Sequence, residues 1–318
     1  MRRAESPNLR AWATEFRTDT PMTAAVLAAT RRLGSAYRSR GDVLRLALGF
    51  AVVSVGGVYL AARTIQWVAG NEAALAALGA TALTAAATGL GALPALFVRQ
   101  VSEAGRATML GFSAGIMLAA AVLSLLVPAF EAATAFAGAG GAVALVAAGL
   151  AGGALAIRWA DRSLPHQHLP ATRVGSSARS AMLVAVAIAL HNLPEGLAVG
   201  AATAGGSSSA VTLGIALQNM PEGLVVATAL ASLGVARLAA FGVAFATGLL
   251  EPVGGLIGAS VAGGSAIALP WALAAAAGAM LFVVLHEMVP QLRSAGVRPA
   301  LGALAGIAAM IALDAAVG

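Results

Sequence analysis

The chain contains no cysteine and no lysine. The first absence removes disulfides and thiolate metal ligands. The second leaves arginine as the one strong cation, a bias of composition with no mechanism attached. Charge of either sign is scarce, at 10% of 318 residues, where a soluble domain carries about a quarter. Aromatic residues are fewer still, at 5%. No basic stripe is interleaved with aromatics, so the formal net charge of +6 does not point to nucleic acid as a partner. An early apolar run is also missing. The first one begins near Leu46, too deep for the core of a cleavable signal peptide.

What fills the chain instead is apolar and small. Hydrophobic residues make up 59% and glycine contributes 38 positions. A bilayer core takes roughly 20 apolar residues per helix, and on that measure the sequence reads as nine spans. A first span covers Leu46–Trp67, with Arg63 snorkelling near its end. Eight core spans follow at Ala73–Phe97, Ala107–Val127, Gly138–Ile157, Ala181–Ala204, Ala210–Leu233, Ala239–Val261, Leu269–Val289 and Ala300–Val317. Arginines alternate between the connections: Arg99 and Arg106 fall in one, Arg158, Arg162, Arg173 and Arg179 in the next but one, then Arg237, then Arg293 and Arg298. The positive-inside rule then puts the basic N-terminus in the cytoplasm and the C-terminus outside. The expected fold is an all-α polytopic membrane protein: a basic tail over 1–45, an extra N-terminal helix over 46–67 and an eight-helix core over 73–318. Residues 22–33 could form a short amphipathic helix on anionic lipid, although a poorly ordered tail is the preferred reading.

Ionisable side chains within spans are costly and mark function by default. Glu195, Glu222, Glu251 and Glu287 stand out. Glu195 lies in His191-Asn-Leu-Pro-Glu-Gly196 and Glu222 in Gln218-Asn-Met-Pro-Glu-Gly223, near copies placed halfway along successive spans. Residues three and four apart share a helix face, so His191 and Glu195 point one way, with Asn192 close by. Gln218, Asn219 and Glu222 repeat the pattern on the next, antiparallel span. Pro194 and Pro221 should release the carbonyls of Leu190 and Leu217, and Gly196 and Gly223 are expected to permit a local bend. Glu251-Pro252 supplies a third carboxylate at similar depth. Carboxylates, amides and one imidazole suit a divalent cation, and the imidazole shifts preference toward Zn²⁺ or Fe²⁺ over Mg²⁺. The competing reading is a set of hydrogen-bonded glutamates that only join helices.

The paired motifs, followed by Glu251-Pro-Val-Gly-Gly255, Ala277-Gly-Ala-Met280 and His286-Glu287-Met-Val-Pro290, resemble the ZIP family of divalent metal transporters, and the Gln-Asn form of the second motif resembles its GufA-like branch. The resemblance covers about Ala73 to Gly318. It implies a metal site at the crossing of core spans 4, 5 and 6, often with two adjacent ions. His191, Glu195, Gln218, Glu222 and Glu251 match one position, and Met117 matches a thioether approaching it. Asn192 and Asn219, with Glu195, Glu222 and Glu251 bridging, match the second. Some family members carry aspartate where this chain has Asn219. Two divalent ions bring +4 against −3 from the three glutamates, so the second position is expected to be weak here. The resemblance also implies a cytoplasmic exit station of Asp161, His166, His168, His286 and Glu287. Ser124 and Asp314 are candidates for the outer mouth.

The expected function is import of Zn²⁺, with Cd²⁺, Fe²⁺ or Mn²⁺ as further cargo. The resemblance implies an elevator movement of core spans 1, 4, 5 and 6 past a scaffold of 2, 3, 7 and 8, and the location expected is a bacterial inner membrane. The transported metal is cargo, with no cofactor expected. Partners are the metal ion and membrane lipid, with room for a homodimer. An intramembrane zinc hydrolase is disfavoured because neither motif supplies the second histidine that His-Glu-x-x-His chemistry needs; no enzyme activity is expected. A metal-selective channel would share every site residue, and only kinetics separates the two.

Overall fold

The computed structural model describes Gly56, Tyr59 and residues 62–98, 100–163, 178–207, 209–292 and 296–318. The basic tail over 1–45, with its amphipathic segment at 22–33, lies outside them. Of the extra span expected over 46–67, only Gly56, Tyr59 and 62–67 are described, all helical. Residues before Trp67 form a unit of their own, and Trp67–Gly318 form a second.

Every element described in the second unit is helical. α1 spans Glu72–Ala92 and tightens into a 3₁₀ turn at Leu93–Leu96; α2 spans Glu103–Ala119. A π-helical segment, Ala120–Leu126, leads into α3, Val127–Ser163. Then come α4 (Ala178–Ala204), α5 (Ser209–Ser232), α6 (Arg237–Gly248) and α7 (Leu250–Ala262). α8 (Ala268–Val283) passes through a second π-helical segment, Val284–Met288, into α9 (Val289–Leu292), and α10 covers Arg298–Val317. Local chemistry starts two of these helices. Asn71 accepts from the Ala74 amide at 2.9 Å and Ser102 from the Gly105 amide at 3.1 Å, each followed by a glutamate in the first turn. Side-chain oxygen and negative charge both satisfy a helix N-terminus.

Among the described residues, seven helical stretches are long and apolar enough to cross a membrane. One of them, Glu103–Ser163, turns back at Gly138, whose φ of 63° suits a residue without a Cβ. It therefore makes two crossings, giving eight over 72–317. The turn comes later than expected: helix continues from Val127 to Gly138 with no loop between.

The crossings pack as four pairs, α1 with α5, α2 with α10, α3 with α8 and α4 with α7. Each pair meets backbone to backbone at glycine. Gly91 and Gly223 join the first pair, Gly115 and Gly306 the second, Gly153 and Gly278 the third, Gly196 and Gly254 the fourth; a Cβ at any of them would overlap main-chain atoms of the partner. Lipid tails are as apolar as leucine, so helices in a bilayer associate through such close contact rather than through burial from water. Around the pairs runs an apolar core that includes Met117, Leu125, Ile215, Met280 and Met310.

Candidate metal centre

α4 and α5 run unbroken through Pro194 and Pro221. Gly196 and Gly223 therefore mark no break in either helix. Each is instead a contact point, Gly196 on the Glu251 main chain and Gly223 on that of Thr88. The third span does break. α6 ends at Gly248, Leu249 intervenes, and α7 begins at Leu250 with Glu251 in its first turn. A carboxylate at a helix start faces unpaired amides, and discontinuous helices of this kind supply transporter sites. Glu195, Glu222 and Glu251 thus stand near the middle of three crossings.

The acids are held by amides and hydroxyls. Gln218 donates from Nε2 to Glu195 Oε1 at 2.7 Å, and Asn219 from Nδ2 to Glu251 Oε1 at 2.9 Å and to the Thr84 carbonyl at 3.2 Å. Thr88 Oγ1 lies 3.3 Å from Glu251 Oε1, and Ser113 donates to the Gln218 carbonyl at 3.1 Å. These bonds orient both amides, because a carboxylate accepts only from their NH₂ ends. What remains is a set of acceptors. Glu195 Oε2, Gln218 Oε1, Asn219 Oδ1, Glu222 Oε1 and Glu251 Oε2 are buried with no hydrogen-bond partner among the described residues. Glu195, Gln218, Asn219 and Glu251 are essentially inaccessible as whole residues. Leaving one such group unsatisfied costs about 1–3 kcal/mol, and more where it is charged. Five oxygens on three helices make a donor set that a cation would complete. Asn192, also buried, differs in leaving its Nδ2 donor unpartnered among the described residues.

Beside them lies a cavity of about 50 Å³ lined by Met117, His191, Glu195 and Glu222, with Ile188, Val225 and Val283 among its apolar walls. A single water needs about 10–15 Å³ measured in this way, so the space takes an ion with a few ligands. Met117, which the family resemblance named as a thioether near the metal, is buried and lines this cavity. Gln218, Asn219 and Glu251 stand behind the cavity's acids. Among the described residues, no three His, Asp or Glu side chains gather closely enough to hold an ion alone. The amide oxygens of Gln218 and Asn219 are further buried acceptors beside the acids.

The two flanking constellations differ. At one, Ser124 donates to Asp314 Oδ1 at 3.0 Å, so the pair named for the outer mouth does meet. At the other, the expected group is divided. His166 and His168 lie outside the described residues, and Asp161 is half-buried near the end of α3. His286 is exposed and stacks on Phe282 with ring centroids 4.8 Å apart. Glu287 is buried and bonds His191 Nε2 through Oε2. Adjacent residues on a helix do not share a face, and here His286 is exposed while Glu287, on the π-helical segment Val284–Met288, is buried. Ser124 also sits on a π-helical segment. Such segments occur often at functional sites, and nothing in the residue pattern announces them.

Three residues of the site went unread in the sequence: Thr84, Thr88 and Ser113. Thr81, Thr84 and Thr88 had a visible signal, a buried polar stripe at helical spacing in an apolar span. Ser113, a small residue among many, had none.

Comparison with known proteins gives the family. The family model described as ZIP Zinc transporter matches residues 160–314. The chain is similar to Zinc transporter ZIPB of Bordetella bronchiseptica, 41% identical over 246 residues, covering 73% of this chain and 78% of that one. It is 40% identical to Zinc transporter GufA of Myxococcus xanthus over 229 residues, 70% of this chain and 90% of that protein. To Zinc transporter ZupT of Corynebacterium glutamicum it is 37% identical over 256 residues, 74% and 97%. These relatives are transporters by name rather than enzymes. With eight apolar crossings and relatives matched over most of their length, the chain is a multi-pass membrane protein that belongs to the ZIP zinc transporter family and is GufA-like within it.

Proposed function

We propose that the protein carries divalent metal ions, Zn²⁺ foremost, across the membrane by way of the acid–amide cluster on α4, α5 and α7. The observation that carries this reading is the set of five buried, unpartnered acceptor oxygens on Glu195, Gln218, Asn219, Glu222 and Glu251. His191 and Met117 add nitrogen and sulfur at the adjoining cavity, a mixture that suits a borderline cation such as Zn²⁺ better than Mg²⁺. Relatives named as zinc transporters support the same cargo. The arginine alternation supports placing the C-terminus outside, and inward transport across a bacterial inner membrane is the direction the family resemblance suggests.

One ion is the favoured load. Asn219 donates to Glu251 and to the Thr84 carbonyl, so it joins two acceptors where an aspartate would repel both. The cluster keeps −3 from its glutamates, enough for one ion and short of two. Movement by an elevator rests on the family resemblance; α1 packs on α4, α5 and α7, while α4 also packs on α8 and α5 on α2.

The test is uptake of several divalent ions into proteoliposomes by the wild type and by Glu222→Ala. Saturable Zn²⁺ uptake lost in the variant is the expected result. Equal uptake by both would end this reading, and flux that never saturates would replace the carrier by a channel.

A further inference from the structure

We infer that Thr88, on a helix that supplies no metal ligand of its own, is a positioning residue that restricts Glu251 to binding through one oxygen and so favours Zn²⁺ over larger divalent ions. The inference rests on the transport site proposed above.

A carboxylate oxygen offers about two lone-pair directions. At Glu251 Oε1 both are taken, one by Asn219 Nδ2 at 2.9 Å and one by Thr88 Oγ1 at 3.3 Å. Oε2 has no partner among the described residues. The hydroxyl also lies 3.4 Å from the Thr84 carbonyl. It has one proton to give, and of two oxygens at nearly equal distance the carboxylate's is the stronger acceptor. The two oxygens of one residue are thus unequal: one is saturated, the other open. Glu195 is less constrained, since its Oε1 receives Gln218 alone.

The Thr88 side chain has little freedom to leave. A Cβ on Gly248 would meet its Cβ and Oγ1 at 3.1 Å, and Gly223 packs on its main chain. Thr88 is 4% exposed. A β-branched residue in a helix has few rotamers, and the slot between two glycines limits them further.

Denticity bears on which ion fits. Zn²⁺ is content with four ligands, whereas larger hard ions such as Ca²⁺ take six to eight and use carboxylates through both oxygens. Cd²⁺ is larger than Zn²⁺ and gains more from a second oxygen. Blocking Oε1 at Glu251 therefore penalises the larger ion, and replacing the Thr88 hydroxyl by a methyl group reopens one lone pair while keeping the β-branched shape.

The experiment compares wild type, Thr88→Val and Thr88→Ser in proteoliposomes, using labelled Zn²⁺ and Cd²⁺, with the Zn²⁺/Cd²⁺ ratio of kcat/KM as the readout. Thermal shifts of the detergent-solubilised proteins with each metal give the same ratio for binding, which covers a variant that binds without transporting. In Thr88→Val the ratio should fall about three- to tenfold, the scale of one hydrogen bond, and Thr88→Ser should restore it. An unchanged ratio in Thr88→Val overturns the inference, as does an equal fall in Thr88→Ser. Glu222→Ala runs alongside. If it transports like wild type, the site itself is misplaced; if it is inactive while Thr88→Val keeps its ratio, only the role of Thr88 fails.

Discussion

Replacing Gly196 by alanine should damage both the fold and transport, although the substitution adds one methyl group and usually strengthens a helix. Glycine within a helix costs about 0.5–1 kcal/mol relative to alanine, so propensity alone favours the change. Contact opposes it. A Cβ on Gly196 would stand 2.8 Å from both C and Cα of Glu251, whereas carbon atoms rest about 3.5–4.0 Å apart. α4 and α7 would have to separate by about 1 Å, and neither backbone can rotate away as a side chain can. Overpacking of this kind costs about 1–3 kcal/mol. After subtracting the propensity gain, a net loss of about 1 kcal/mol remains, or on the order of 3 °C in melting temperature. Glu251 would move with its backbone, and its bond to Asn219 at 2.9 Å cannot stretch by that amount and survive. Gly242 on α6 is the control, because a Cβ there meets nothing within 4 Å. The assay is thermal unfolding in detergent with Zn²⁺ uptake measured in parallel. Gly242→Ala should hold or raise the melting temperature and transport normally, while Gly196→Ala lowers both. A Gly196→Ala protein that melts and transports like wild type would refute the reasoning from close approach.

Three further outcomes are expected. Asn219→Asp sets a carboxylate against Glu251 Oε1 and the Thr84 carbonyl, so the variant should be less stable without metal and bind a second ion when loaded; calorimetric stoichiometry that stays at one would defeat the charge argument. Gln218→Leu removes the donor to buried Glu195 Oε1 and should cost about 1–3 kcal/mol of stability together with a weaker KM for Zn²⁺; a wild-type KM would show that the amide positions nothing. Ser124→Ala should change uptake less than any cluster variant, within about threefold, since its bond to Asp314 at 3.0 Å is one part-buried contact; a loss as deep as that of Glu222→Ala would move Ser124 into the site proper.

Much of the site could be read before any coordinates. The price of a charge in lipid singles out Glu195, Glu222 and Glu251, and helical spacing aligns His191 with Glu195 and Gln218 with Glu222. Both features are local, so they survive translation into three dimensions. What escaped was set by register and long-range contact. Thr88 and Ser113 act on helices remote in sequence from the acids they serve. Glu287 was grouped with His286 through the family resemblance, yet its carboxylate bonds His191 on another helix while His286 stacks on Phe282. The glycines of the two motifs looked like hinges beside proline, whereas their missing Cβ atoms let neighbouring backbones touch. Met117 shows the reverse case: an apolar residue in an apolar span carries no local signal, and only the family resemblance placed it. The eight crossings followed from apolar length, but the turn at Gly138 did not, because the residues from 128 to 137 are apolar enough to continue the helix before it.

The most direct measurement is an anomalous difference map from crystals of the Zn²⁺-loaded protein, recorded on either side of the zinc absorption edge. The expected result is one strong peak in the cluster of His191, Glu195, Gln218, Glu222 and Glu251, with oxygen and nitrogen ligands about 2.0–2.2 Å from it and no second peak of equal height beside Asn219. A cluster with no peak, under conditions where the protein transports Zn²⁺, would contradict the assignment of these residues as the metal's path.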